Sequence, residues 1–174
     1  MIKMANKLKK FVPYRRKLSG RTDYRKRLKL LVSGAPRLVV RKTNKNIIVQ
    51  LVKYADVGDN VVVTASSIEL KKLGWTHATG NLPAAYLTGL IAGKKASSLK
   101  LKNAIVDLGL QTPSHGSRLY AAIKGVIDAG VDVPCSDEAL PSEDRLRGRH
   151  IASFNKKSAA IEKSFEDTKS KILK

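Results

Sequence analysis

Cysteine occurs once, at Cys135, so the chain can form no internal disulfide and no multi-cysteine metal site. Histidine occurs three times, and His77, His115 and His150 are all far from one another and from Cys135. The short spacing of paired metal ligands is therefore missing. No apolar run approaches the ~20 residues that a membrane-spanning helix needs. The first residues, Met1-Ile2-Lys3-Met4, lead into lysines rather than into the apolar stretch of a secretory signal. Acidic residues are scarce: 14 Asp and Glu stand against 34 Lys and Arg, a formal charge of +20. These absences predict a soluble, intracellular protein that binds a polyanion, without metal or cofactor.

What is present adds a fold. The 174 residues are 43 % apolar, enough for one domain with a real core plus an arm or tail, and too apolar for a disordered basic chain. The charge is uneven. Residues 1–60 hold 17 of the 34 basic side chains and three acids, Asp23, Asp56 and Asp59. Residues 1–30 alone hold 12 basic side chains against Asp23. An arm so charged repels itself until an external anion neutralises it. Phe11, Tyr14 and Tyr24 interleave with the bases, offering rings on which nucleobases stack and hydroxyls that reach phosphates. No long apolar helical face accompanies them, which favours nucleic acid over a bilayer.

Along the chain, Pro13 and Ser19-Gly20 make residues 1–21 irregular, and Thr22 is placed to cap a helix over roughly 23–32. Arg37–Lys42 and Ile47–Lys53 are β-branched runs joined by the turn-forming Thr43-Asn44-Lys45-Asn46, and Val61–Ala65 follows Gly58-Asp59-Asn60, predicting an antiparallel meander. Ser66 with Glu69 has capping-box spacing, closed by Gly74. Asn81 and Pro83 open a helix to about Lys95, whose Ala85, Gly89, Ala92 and Gly93 suit close packing on a sheet. Ala104–Leu108 reads as a buried strand, Ser117 as the cap of a helix carrying Leu119, Ala122, Ile123, Val126 and Ile127, and Val131–Val133 as a last strand. Ser142–Phe154 reads as an arginine-rich helix, and Ile161, Phe165 and Ile172 form a stripe on a tail helix that needs a partner surface. The pattern predicts an α/β fold, a mixed sheet with helices on both faces. The expected divisions are 1–33 (basic arm and short helix), 34–135 (globular α/β domain), 136–154 (loop and arginine-rich helix) and 155–174 (charged helical tail).

Enzymatic readings fail on chemistry. Gly89-Leu-Ile-Ala-Gly93-Lys94-Lys95 has too few residues between its glycines for a phosphate loop, and Lys95 stands where a hydroxyl should hold magnesium. A two-metal nuclease needs converging carboxylates; Asp107 and Glu69 are candidates, but the first strand offers no acid. Asp107 is better read as a strand-end residue bonding local backbone. A DNA-packaging protein shares the same net charge, and competition between duplex DNA and structured RNA separates the two.

Several blocks then become recognisable. Tyr14-Arg15-Arg16-Lys17-Leu18-Ser19-Gly20-Arg21-Thr22-Asp23-Tyr24 resembles the basic arm of the ribosomal proteins of the universal L-eighteen family, called L-five in eukaryotes. The likeness continues through Pro36–Lys42, Gly74-Trp75, Asn81–Leu90, Gly116-Ser117-Arg118 and Leu140–Gly148, in order over roughly residues 9–152, with a length similar to the archaeal form. The resemblance implies a mixed five-stranded sheet of ribonuclease-H-like topology without its catalytic site. It also implies a structural, non-enzymatic protein of the central protuberance that binds 5S rRNA and attaches it to the large rRNA, beside neighbouring ribosomal proteins. RNA contact would come from Lys9, Lys10, Tyr14, Arg15, Arg16, Lys17, Arg21, Arg25, Lys26 and Arg27, with Thr22 and Tyr24 anchoring the arm. Arg41, Lys42, Asn44, Lys45 and Asn46 on the first hairpin would enter a shallow minor groove or form an ordinary solvated turn. Arg118 and Lys124 would meet a phosphate at a helix N-terminus or face water.

Overall fold

Residues 12–155 and 158–173 are described by the computed structural model. The chain enters through a single helical turn, α1 (Arg15–Leu18), within the stretch expected to be irregular, and turns at Gly20 into α2 (Tyr24–Val32). Asp23, not Thr22, caps α2: its Oδ1 accepts from the amides of Arg25 and Lys26 at 3.0 and 3.1 Å. A carboxylate also gains from the positive end of the helix, which a hydroxyl does not. The Thr22 hydroxyl instead accepts from Arg16 Nε at 2.9 Å.

The meander forms as the turn chemistry predicts. β1 (Arg37–Lys42), β2 (Ile47–Ala55) and β3 (Gly58–Ser66) pair antiparallel, each of the last two longer than its β-branched core. A bulge near Leu51 and Val52 shifts the register against β3, where Leu51 faces Val63 and Val52 faces Val61. The chain then makes a 3-10 helix over Ser67–Leu73, whose capping box forms between Ser66 and Glu69 and which ends at Gly74 with φ +96°. After α3 (Leu82–Ser98), β4 (Ile105–Asp107) joins β1 in parallel, giving the sheet order β3-β2-β1-β4.

The sheet among the described residues therefore has four strands rather than five. The stretch 131–133 contributes one parallel bridge, Asn103 to Asp132, and no strand. Only Ala104 N to Asp132 O and Asp132 N to Lys102 O link it to its neighbour before Pro134, which has no amide to donate, interrupts the ladder.

Alternation along β1 and β2 sends Leu38, Val40, Ile47, Val49 and Leu51 to the inner face, where they join Val63 and Ala65 in the core beneath α3 and α4 (Arg118–Asp128). α3 buries 13 of its 17 residues because it is covered by the sheet on one side, α4 on another and the tail on a third. Its glycines meet α4 rather than the sheet. A Cβ built on Gly89 would stand 2.0 Å from the carbonyl oxygen of Ala122, and one on Gly125 of α4 2.2 Å from that of Tyr86. The two helices touch backbone to backbone.

A 3-10 turn at Asp137–Ala139 leads to α5 (Glu143–Arg147) and α6 (Arg149–Phe154). These are two short helices where one was expected, because Gly148 between them adopts φ +86°, a left-handed conformation that ends a helix. The stripe of α7 (Ile161–Leu173) finds its partner within the same chain: Ile161, Phe165, Thr168 and Ile172 are buried, and the Phe165 ring lies 5.6 Å from that of Tyr86 on α3. Lys94 Nζ donates to Ile172 O at 2.6 Å and Lys171 Nζ to Leu73 O at 3.0 Å, so the tail is tied to α3 and to the 3-10 helix by charge-assisted bonds.

Candidate nucleic-acid interface

The same alternation that fills the core puts Arg37, Val39 and Arg41 of β1 on the outer face of the sheet. Opposite them stand Gln50 and Val52 of β2, Asp59 and Val61 of β3, and Asp107 of β4. Arg16, Arg21, Lys26, Arg27 and Leu30 from the arm and α2 close the other wall, making a groove of about 650 Å³. Six basic and three acidic side chains line it.

Two acids are engaged with three arginines at its floor. Arg27 donates two hydrogen bonds to Asp59, at 2.9 and 2.8 Å. Arg37 Nη2 lies 2.7 Å from Asp59 as an ion pair without hydrogen-bond alignment, and its Nη1 donates to Asp107 at 2.7 Å. Arg37 is 3 % exposed, and its Nε has no hydrogen-bond partner among the described residues. Arg41 Nη1 donates to the carbonyls of Val40 and Asp107, with Nη2 3.9 Å from the Asp107 carboxylate. Pairing with Arg27 and Arg37 holds the Asp59 carboxyl below its ordinary range against the opposing effect of burial, and raises the Arg27 guanidinium. Asp107 Oδ1 also accepts from the amide of Gly109 at 2.9 Å, the local backbone bond expected of a strand-end acid.

The bases around this floor are uncompensated. Arg15, Lys17, Arg21, Arg25 and Lys26 are exposed and form no side-chain hydrogen bond or ion pair with the described residues. Tyr14 and Tyr24 bring their rings to 5.0 Å, which joins α1 to the start of α2, while Tyr14 stays 68 % exposed and offers a free ring face. Lys9 and Lys10, the other expected arm contacts, lie outside the described residues. Past Arg41, the exposed Lys42, Asn44 and Lys45 extend the basic strip onto the β1–β2 turn.

Two expected contacts have structural duties. Asn46 closes that turn through Thr43 and accepts from Thr79 Oγ1 at 2.9 Å. Arg118 Nη1 donates to Gly80 O at 2.6 Å and Thr43 O at 3.4 Å, tying the hairpin to the entry of α4. Ser117 occupies the cap position of α4 without a side-chain capping bond. Lys124 pairs with Asp128 at 3.0 Å on the surface of that helix. Sequence reasoning passed over Arg37, Asp59 and Asp107 as members of one site. The alternation of Arg37, Val39 and Arg41 with Leu38 and Val40 was the available signal that the outer face is basic.

The two acids weighed for catalysis, Glu69 and Asp107, are both ion-paired. Glu69 pairs with Lys95 at 2.8 Å and Asp107 with Arg37, and no group of three or more potential ligands among the described residues could hold a metal ion. No helix among the described residues is long and apolar enough to cross a membrane.

A basic arm beside a mixed sheet with an arginine-lined outer face carries the electrostatic footprint of nucleic-acid binding. Comparison with known proteins gives the family. Residues 9–104 match the family described as ribosomal large subunit proteins 60S L5 and 50S L18. Three archaeal relatives, each named large ribosomal subunit protein uL18, extend the similarity. That of Methanoregula boonei is 48 % identical over 171 residues, covering 98 % of both chains. That of Korarchaeum cryptofilum is 52 % identical over 159 residues, 90 % of this chain and 82 % of its own. That of Methanothrix thermoacetophila is 49 % identical over 162 residues, 93 % and 95 %. The chain belongs to this family of structural proteins of the large ribosomal subunit, and is a ribosomal component of the cytoplasm rather than an enzyme. Its partners are accordingly ribosomal RNA and other ribosomal proteins.

Proposed function

We propose that within the large subunit this chain binds 5S rRNA and attaches it to the large rRNA at the central protuberance. The carrying observation is the set of exposed bases without an acidic partner among the described residues, Arg15, Lys17, Arg21, Arg25 and Lys26, of which Arg21 and Lys26 line the arginine-rich groove. Folded RNA packs phosphates closely, and a slender arm follows them where a compact body cannot. Arginine forks bridge phosphate oxygens or stack on splayed bases, and the free face of Tyr14 accepts another. Lys42, Asn44 and Lys45 on the hairpin turn meet 2′-hydroxyls and phosphates of a shallow minor groove, and Arg118 with Asn46 holds that turn in shape. Lys9 and Lys10 add two more cationic side chains to this part of the sequence. Kinship with the ribonuclease-H-like sheet is part of the same reading, supported by an antiparallel meander followed by a parallel fourth strand, with the Asn103–Asp132 bridge at the site of a fifth.

Filter retention with 5S rRNA tests the proposal. With roughly eight phosphates neutralised, affinity falls by about four powers of ten as salt rises from about 50 to about 200 mM, using a duplex slope of about −0.9 per contact. Deleting residues 1–21 flattens that slope. An unchanged slope, or equal binding to duplex DNA at physiological salt, overturns it.

A further inference from the structure

None of the nine residues of α2 is buried, although this helix joins the arm to the body. Its outward side carries Leu28 and Val32, 64 % and 81 % exposed. Tyr24, Arg27 and Leu30, spaced one helical turn apart, face the groove. So short a helix gains little from its own propensity and needs a tertiary anchor. Only one side chain of the described residues spans from α2 to the sheet by hydrogen bonds, Arg27, and its acceptor is Asp59. Asp59 stands between two guanidinium groups, one from the helix and one, Arg37, from the sheet. Without it those cations oppose each other across the groove, with Arg41 close by.

We infer that Asp59 is a positioning residue for RNA recognition: it clamps α2 to the outer face of the sheet and so sets the direction in which the arm leaves the body. The inference rests on the RNA-binding reading for its consequence but not for the clamp itself. It predicts an effect of unusual sign. Asp59→Asn raises the net charge of a protein that binds a polyanion, and charge alone would tighten binding. Loss of the clamp leaves the arm to be ordered at the moment of binding, and binding weakens.

Two measurements on the full chain decide it. Hydrogen exchange in the free protein is expected to speed up between threefold and about tenfold over residues 24–32 in Asp59→Asn, the scale of a well-aligned bidentate pair. Asp59→Glu restores part of the protection, and amides of α3 are unchanged. Affinity for 5S rRNA at fixed salt falls by a similar factor in Asp59→Asn and recovers in Asp59→Glu. Unchanged exchange over 24–32, or binding as tight as wild type or tighter, overturns the inference. A wild-type chain that does not select 5S rRNA overturns the reading in the preceding section, and the exchange experiment then decides the clamp alone.

Discussion

Gly89→Ala is the sharpest test of how the body is held together. The new methyl carbon would stand 2.0 Å from the Ala122 carbonyl oxygen, 2.8 Å from its carbon and 3.1 Å from its Cα. All three are backbone atoms inside α4, so no side chain can rotate away, and α3 and α4 must separate by more than an ångström. Overpacking of this kind costs about 3 kcal/mol, at the upper end of measured cases. Alanine returns about 1 kcal/mol through helix propensity. The net loss of about 2 kcal/mol corresponds to a melting temperature lower by roughly 4–8 °C for a chain of this size. Gly93→Ala supplies the control, because its first obstacle is a side chain, Ala129 Cβ at 2.4 Å. Adding Ala129→Gly should recover much of the loss at Gly93 and nothing at Gly89. Thermal unfolding by circular dichroism measures all of these. A Gly89→Ala protein as stable as wild type refutes the backbone-contact argument.

Other expectations follow from the same contacts. Phe165→Ala removes a ring that is 4 % exposed and packed on Tyr86, and should cost about 3 kcal/mol in denaturant unfolding, showing that the tail is part of the body. Arg118→Ala leaves the carbonyls of Gly80 and Thr43 without their donor; a loss of about 1–2 kcal/mol and faster exchange at residues 43–46 are expected. Because the folded Asp59 carboxyl is held below its unfolded value of 3.8, its contribution is complete above that pH and is lost as pH falls through the lower folded value. NMR of the α2 amides should therefore show the helix docked at pH 5 and released only in more acid solution. Release on raising the pH instead would contradict the pairing.

Local chemistry was legible in the residues alone. The β-branched runs and the Thr43–Asn46 turn specify an antiparallel meander, Ser66 and Glu69 specify a capping box, and the apolar spacing from Leu119 to Ile127 specifies a helix, because each is decided by neighbours a few residues apart. The excess of basic side chains in the first thirty positions is likewise a property of the sequence alone. Tertiary structure decided what depends on distant positions. Asp59 and Arg27 are 32 residues apart and Arg37 and Asp107 are 70 apart, so no local pattern could show that they neutralise one another. The small face of α3 was visible, but its partner, α4 instead of the sheet, depends on how the layers stack. Whether 131–133 forms a strand turned on how many backbone bonds its neighbour could supply, and only one bridge formed. Composition and short-range geometry set the elements and the sign of the charge, while packing chose which charges are used up inside the molecule and which stay exposed at its surface.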